Sequence, residues 1–150
     1  MLEQKLDQDI KTAMLAGNKQ QTTALRTLKS VLLYAKVASG KRDEPMHDDE
    51  LIALFSKEAK KRQESADLYI QGGSPERAEA ELAEKALIEA YLPAQLSNDE
   101  LEKIIDEVIV ASGANSGQQM GAVIGQVRAK VGPQADGGMI AKIVKEKLGV

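Results

Sequence analysis

Four cationic side chains flank a short connection near the end of the sequence. Arg128 and Lys130 precede residues 132–138, and Lys142 and Lys145 follow them. Exposed Lys and Arg side chains are the residue types that contact phosphate groups. This spacing therefore indicates a surface that could hold a phosphate-bearing ligand around the connection.

Two pairs of glycines accompany these cations. Gly121 and Gly125 lie four residues apart on a predicted helix, where the lack of side chains lets another group come close. That group could be a ligand phosphate, but the interpretation we favour is close packing of the last two helices. Gly137 and Gly138 begin the last predicted helix, whose free N–H groups could receive a phosphate. Asp136 would compete for the same donors as an N-cap.

The densest basic run spans residues 57–62. Its helical spacing favours a solvated face with ion pairs four residues apart. We expect Arg62, paired with Glu58, to tie its helix to a neighbouring helix. We interpret Tyr69 as a core residue and not as a base-stacking one.

The composition excludes several kinds of chemistry. The 150 residues include no Cys and one His, His47. Disulfide scaffolds, zinc–thiolate sites, iron–sulfur clusters and Cys nucleophiles are therefore excluded. No pair of carboxylates is distinct from the Glu-rich helices, so we predict no catalytic residue, no metal site and no cofactor.

Charge and aromatic content limit the possible partners. The net charge is −3 and aromatic residues make up 3% of the chain, which argues against a generally basic nucleic-acid binder. Any contact with RNA must depend on local patches. No run approaches the roughly 20 apolar residues of a membrane span, so we expect no membrane partner. The lack of Cys favours a reducing cytoplasm.

Helical periodicity runs through nearly the whole chain, which predicts an all-α fold. We expect an N-terminal four-helix unit at residues 1–92 and a smaller three-helix C-terminal domain at residues 93–150. The boundary is placed at Pro93, because proline stops a helix and disfavours helical backbone in the residue before it.

Local patterns predict the first four helices. The first ends at Gly17-Asn18, the second near residue 39, and the third runs from about His47 to left-handed Gly72-Gly73. Ser74 caps the fourth helix, which has Pro75 at its first position. The predicted buried stripes are Leu2, Leu6, Ile10 and Met14 in the first helix; Leu51, Leu54, Phe55, Ala59, Ala66 and Ile70 in the third; and Leu82, Ala86, Leu87, Ala90 and Tyr91 in the fourth.

Two capping boxes begin helices in the second half. Ser97 with Glu100 predicts the start of the fifth helix, and Ser116 with Gln119 predicts the start of the sixth. Gly132-Pro133 stops the sixth helix. Asp136 is expected to cap the seventh.

Several motifs resemble one family. They are Lys61-Arg62-Gln63-Glu64-Ser65 with Tyr69 and Gly72-Gly73, the stretch Glu89-Ala90-Tyr91-Leu92-Pro93-Ala94-Gln95-Leu96-Ser97, Met120-Gly121, and Ala135-Asp136-Gly137. Together they resemble the YqeY family over residues 1–150. The resemblance implies a two-part helical protein whose C-terminal half is similar to the tail domain of the GatB and GatE subunits of tRNA-dependent amidotransferases. In those enzymes the tail touches tRNA and does no chemistry.

The sequence departs from the family pattern at two places. Ala122 stands where the family usually has a lysine, and Gln134 lies in a stretch where the family tends to have Lys-Gly-Arg. Each lost phosphate contact lowers affinity and its salt dependence. We therefore expect weaker tRNA binding than the resemblance alone implies.

Three functional hypotheses follow. The first is a non-catalytic module that binds tRNA, or an aminoacyl-tRNA amidotransferase or synthetase, through Arg128, Lys130, Lys142 and Lys145, with close approach at Gly121, Gly125, Gly137 and Gly138. The second, from the resemblance, is a component of a carbon–nitrogen ligase that uses glutamine as amide donor; the chain has no Ser-Lys amidase motif and no P-loop. The third is a protein–protein adaptor.

Overall fold

The computed structural model describes all residues, 1–150, and contains helices and no strands. The all-α prediction is confirmed. Seven α-helices follow one another: α1 (Leu2–Leu15), α2 (Lys19–Ala38), α3 (Asp48–Gln71), α4 (Pro75–Glu89), α5 (Asn98–Ser112), α6 (Met120–Val131) and α7 (Gly137–Leu148). Short 3₁₀ turns at Gly117–Gln119 and Gly132–Gln134 lie on either side of α6.

The chain divides into two compact units, Met1–Leu92 and Pro93–Val150. The first contains α1 to α4 and the second α5 to α7. Each unit encloses its own cluster of buried apolar side chains. We refer to them as the first and second units.

The core of the first unit is centred on Phe55, which is fully buried. Tyr91, just beyond the end of α4, meets its ring edge-on at a centroid distance of 5.7 Å, a favoured arrangement of aromatic pairs. Leucines of α1 and α2 complete this core: Leu6, Leu25, Leu28 and Leu32.

The buried stripe predicted for α4 is largely wrong. Ala78 and Ile88 are the buried residues of α4, whereas Leu82 is 38% exposed and both Ala86 and Ala90 are exposed. The inner face carries charged side chains: Arg62 of α3 lies 3.3 Å from Glu81 and 3.2 Å from Glu84. A prediction based on apolar spacing misses this face, because ion pairs with α3 hold it in place.

Smaller corrections concern helix ends. Met14 and Ile70 are 52% and 59% exposed, because the last turns of α1 and α3 extend beyond the core. Between α3 and α4, Gly73 alone is left-handed, with φ +75°, while Gly72 has φ −81°. Ser74 occupies the N-cap of α4 without a side-chain hydrogen bond.

Glu3 joins three parts of the first unit. Its carboxylate accepts a hydrogen bond of 2.9 Å from the buried Lys36 Nζ of α2 and one of 2.8 Å from the Met46 backbone N–H before α3. Burial by itself would raise the pKa of Glu3. The Met46 and Lys36 hydrogen bonds outweigh that effect, so the pKa lies below its ordinary value of 4.5.

A second link joins α1 to the end of α4. Tyr91 Oη donates a short hydrogen bond to Asp9, and Lys5 Nζ lies 4.3 Å above the Tyr91 ring while pairing with Asp9 at 3.0 Å. Burial opposes ionisation of Asp9, yet the Tyr91 and Lys5 contacts hold the pKa of Asp9 below 3.8. Burial and the Asp9 charge raise the pKa of the Tyr91 phenol well above its usual value.

The second unit begins with the predicted capping box. Ser97 Oγ accepts from the Glu100 N–H at 3.2 Å, and the Glu100 carboxylate accepts from the Ser97 N–H at 2.9 Å. The second box is wrong. Ser116 is the N-cap of the 3₁₀ turn that continues into α6 at Met120, but it makes no side-chain cap hydrogen bond. Gln119 instead accepts a 2.8 Å hydrogen bond from the Asn115 N–H.

Replacing Glu3 by glutamine should destabilise the first unit by about 2–3 kcal/mol, because Lys36 would remain buried without a counter-charge. Urea unfolding followed by tyrosine fluorescence measures this unit selectively, since Tyr34, Tyr69 and Tyr91 are its residues and the second unit has no tyrosine. Glu79→Gln, at an exposed position of α4, is the matched control and should change stability by less than about 0.5 kcal/mol. Equal effects of the two variants would contradict the role of Glu3.

The first unit should also lose stability in acid. The carboxylates of Glu3 and Asp9 have folded-state pKa values below 4.5 and 3.8, so their contribution is complete above those ordinary values and disappears as the pH falls through the lower folded-state values. Urea midpoints measured from pH 6 downward should fall most steeply below about pH 4.5. Glu3→Gln should flatten that fall; an unchanged slope would show that Glu3 is not a titrating contributor.

Candidate nucleic-acid interface

Arg128 is held against the beginning of α7. A Cβ atom added at Gly137 would overlap the Arg128 guanidinium group, so this glycine leaves the space that the side chain of Arg128 fills. Arg128 remains exposed to solvent. The α6–α7 pair thus presents a cation beside the first turn of α7.

Gly121 and Gly125 belong to the same face of α6 as Arg128, because steps of four and three residues return to one side of a helix. Both glycines are exposed, and a Cβ at either position would meet open space. Close packing of α6 on α7 at these glycines, the interpretation favoured from sequence, is therefore wrong. The surface beside Arg128 is bare of side chains at both positions.

Lys130 projects elsewhere. It is exposed, but residues two apart on a helix do not face each other, so Lys130 leaves α6 on a different side from Arg128. The sequence grouped the two only because they are close in the chain.

On α7, Gly138, Lys142 and Lys145 share the outer side. Their steps of four and three residues keep them on one face, and all three are exposed. The opposite side of α7 carries Ile140, Ile143 and Val144, which are buried. We define the cationic face as the outer side of α6 with Arg128, Gly121 and Gly125, and the outer side of α7 with Lys142, Lys145 and Gly138; the two sides meet where Arg128 lies against Gly137.

Charges are segregated within the second unit. Five of its acidic residues lie on α5: Asp99, Glu100, Glu102, Asp106 and Glu107. Lys147, on another side of α7, pairs with Asp106 of α5 at 2.9 Å. That hydrogen bond raises the pKa of Lys147. The cations of the cationic face are not engaged by α5 in this way.

The first turn of α7 is already capped. Asp136 accepts a 3.3 Å hydrogen bond from the Met139 N–H, as predicted. A phosphate bound at the N–H groups of this turn would have to compete with the Asp136 carboxylate. The side chains of the cationic face therefore offer stronger contacts for a phosphate than the helix N-terminus does.

The turn between α6 and α7 is held by the residues that follow Pro93. Leu96 N–H donates to Gln134 O at 2.9 Å, Gln95 Nε2 donates to Pro133 O at 3.1 Å, and Gln134 Nε2 donates to Ala94 O at 3.4 Å. Sequence reasoning missed this support. From the sequence, Gln134 was notable only because the family tends to have cations in that stretch, whereas in the structure it is bonded to Ala94 and Leu96. The distinctive Pro-Ala-Gln-Leu stretch was the available clue.

Gly132 gives this turn its shape. Its φ of +53° and ψ of −131° form a combination that residues with a Cβ rarely adopt. The turn redirects the chain from α6 into the 3₁₀ turn and on toward α7. It therefore fixes how Arg128 and Gly137 meet.

The basic run at 57–62 is largely structural. Glu58, 7% exposed, lies 3.1 Å from Lys61 and 3.9 Å from Arg62. Arg62 also joins α3 to α4 through Glu81 and Glu84, so the expectation that it ties helices together is confirmed. Tyr69 is only half-buried, and the Arg77 guanidinium lies 5.9 Å from its ring centroid.

The structure gathers no group of three His, Cys, Asp or Glu side chains placed to hold a metal ion. None of the seven helices combines the length and apolar character that a membrane crossing requires.

Comparison with known proteins gives two matches. A family model described as YqeY, Yqey-like protein, matches residues 3–148. A protein of Eremothecium gossypii named "Altered inheritance of mitochondria protein 41, mitochondrial" is 34% identical over 89 residues, covering 59% of this chain and 48% of that protein. The chain thus spans about half the length of this curated relative. The relative carries a mitochondrial name, and a cytoplasmic location for this chain stays a prediction.

Two glycine substitutions should have opposite effects on the second unit. Gly132→Ala forces an alanine into a strained backbone conformation and should destabilise the unit by about 1–3 kcal/mol. Gly125→Ala, in open space on α6, should stabilise it by up to about 1 kcal/mol through helix propensity. Hydrogen exchange of the α6 amides in the whole protein measures both changes. Equal effects of the two would contradict the assigned backbone constraint at Gly132.

Proposed function

The chain belongs to the YqeY family, and on that premise we propose that it is a non-catalytic helical module that binds tRNA through its cationic face. Arg128, Lys142 and Lys145 contact phosphates, and the glycines beside them let the RNA backbone come close. The observation that carries this proposal is the uneven distribution of charge in the second unit: five of its seven acidic residues lie on α5, and five of its six Lys and Arg residues lie on α6 and α7.

Segregation matters because the whole chain is acidic, with 23 Asp and Glu against 20 Lys and Arg. A polyanion would be repelled by such a chain at long range and attracted only near a concentrated patch of cations. Screening restricts these interactions to roughly 10 Å at ordinary salt concentrations. A patch of three cations is then sufficient for weak, salt-sensitive binding.

The bare surface at Gly121 and Gly125 supports the same proposal. Bulky side chains there would hold a phosphate backbone away from Arg128, whereas open space permits direct ion contact. Arg is suited to this role because its planar guanidinium donates two parallel hydrogen bonds to a phosphate. The packing of Arg128 against Gly137 holds part of that side chain in place before binding.

Preference for tRNA over other RNA derives from the resemblance of the second unit to the amidotransferase tail domain. The proposed protein partner is correspondingly an aminoacyl-tRNA amidotransferase or synthetase that handles the same tRNA. The ligase hypothesis adds a requirement for amide transfer from glutamine. Glutamate release in the presence of charged tRNA and ATP is the assay that addresses it.

The test combines Arg128→Glu with Lys142→Glu. Fluorescence anisotropy of labelled mixed tRNA, titrated at several salt concentrations, should show binding by the parent protein that weakens with salt. The double variant should lose most of that binding, and the slope of log affinity against log salt for the binding that remains at low salt should be smaller by about 1.4–1.8, as expected for two lost phosphate contacts. Circular dichroism checks that helicity is retained.

The matched control combines Lys103→Glu with Lys130→Glu. It makes the same change in net charge within the second unit, at exposed positions of α5 and α6 outside the cationic face. The control should keep most of the tRNA affinity. Equal loss of tRNA affinity in both double variants would show that net charge, and not the cationic face, determines binding. Undiminished binding by Arg128→Glu/Lys142→Glu would contradict the assignment of the site. Equal binding of an unrelated duplex RNA would contradict the preference for tRNA.

A further inference from the structure

A long stretch of the first unit contains no acidic residue. Residues 10–42 include seven Lys and Arg and no Asp or Glu, although the chain as a whole carries net negative charge. The stretch covers the end of α1 and the whole of α2. The side chains of α2 are therefore cationic, apolar or neutral polar, and none is acidic.

Two of the cations on α2 are used inside the unit. Lys29 Nζ lies 2.9 Å from Asp7, and Lys36 Nζ lies 2.9 Å from Glu3, so this side of α2 faces α1. The other side of the helix is turned away from the core, and its large apolar side chains are exposed to solvent.

We define the outer face of α2 as Arg26, Ser30, Leu33, Tyr34 and Val37. Steps of four, three and four residues keep Arg26, Ser30, Leu33 and Val37 on one side of the helix, and Tyr34 borders that side. Leu33, Tyr34 and Val37 are 42%, 77% and 57% exposed. Three large apolar side chains thus form a contiguous patch over the last turns of α2.

Cations lie at both ends of this patch. Arg26 lies about two helical turns before Leu33, and its Nη2 lies 3.3 Å from the Met14 sulfur of α1, which brings the end of α1 beside the outer face. Lys41 follows the patch. Its ion pair with Glu50 is 4.0 Å long between side chains that are each 52% exposed, a pair of little strength that a better partner could replace.

We propose that the outer face of α2 binds an acidic amphipathic helix of another protein. Leu33 and Val37, one turn apart, would pack against the apolar stripe of such a helix, and Tyr34 would anchor its edge. Carboxylates flanking that stripe would meet Arg26 at one end and Lys41 at the other. Apolar anchors framed by charges of one sign specify a partner with the opposite sign.

Other occupants fit less well. Pairing two copies through this face would place cations against cations, because the face has no acid to reciprocate. RNA gains little from Leu33 and Val37, which offer a phosphate no hydrogen bond. Three apolar side chains on a helix whose opposite side is core give too small an area for stable membrane binding.

The probe is a synthetic helical peptide with leucines spaced three and four residues apart and glutamates on both sides of them. Titration of the whole protein, followed by amide shifts in NMR spectra and by anisotropy of the labelled peptide, should place the binding on α2. A matched peptide with lysine replacing each glutamate should bind at least about tenfold more weakly. Raising the salt concentration should weaken the acidic peptide only.

Three variants assign the contacts. Leu33→Ser combined with Val37→Ser should weaken acidic-peptide binding at least about tenfold, whereas Val110→Ser, at an 81% exposed valine of α5, should leave it unchanged. Arg26→Glu should weaken the acidic peptide and improve the lysine peptide. Arg128→Glu with Lys142→Glu should leave peptide binding intact, which separates this surface from the proposed tRNA face.

Two results of the peptide titration would overturn the proposal: no shift of α2 amides up to about 1 mM acidic peptide, or equal binding of the acidic and the lysine peptide. Concentration-dependent self-association in sedimentation, abolished by Leu33→Ser/Val37→Ser, would instead assign the outer face to a second copy of the chain. Loss of tRNA affinity in that same variant would assign the outer face to RNA. Co-sedimentation of the parent protein with anionic vesicles, if Leu33→Ser/Val37→Ser abolished it, would assign the outer face to a membrane.

Discussion

The position of Tyr91 between Asp9 and Phe55 is the constraint on which the first unit depends. Its phenol bonds to Asp9 of α1, its ring contacts Phe55 of α3, and its backbone lies at the end of α4. One residue thereby links α1, α3 and the end of α4. Glu3 acts similarly in the first turn of α1, where Lys36 and Met46 meet its carboxylate. Desolvating such charges is costly, and removing one partner leaves the other poorly solvated and unpaired, so each link resists the loss of any of its members.

Much of the fold followed from local patterns. The Ser97 capping box, the proline at the first position of α4 and the Asp136 cap each act within one helical turn, so the residues involved are neighbours in sequence. The α4 face could not be predicted in this way, because it is defined by Arg62, about twenty residues away. Gln119 shows a related limit: it has the residue type of a capping box, but its side chain accepts a hydrogen bond from the Asn115 N–H instead.

The candidate site shows the same division between local and distant contacts. Sequence placed Arg128, Lys142 and Lys145 near one connection, and helical spacing was enough to assign Lys142 and Lys145 to one face. The same spacing argument separates Lys130 from Arg128, which is two residues away, but the sequence could not show that Arg128 lies against Gly137 of α7. Nor could it show that Gln95 and Gln134 hold the turn through hydrogen bonds across about forty residues.

The fit of Arg128 over Gly137 has an evolutionary consequence. A methyl group at position 137 would meet only the far end of the flexible, exposed Arg128 side chain, so the guanidinium group could move aside and the fold would be kept. In descendants of this chain, a substitution at 137 would therefore displace the cation from the first turn of α7 without changing the charge of the protein. Position 137 would then tune where the charge lies, independently of how much charge there is.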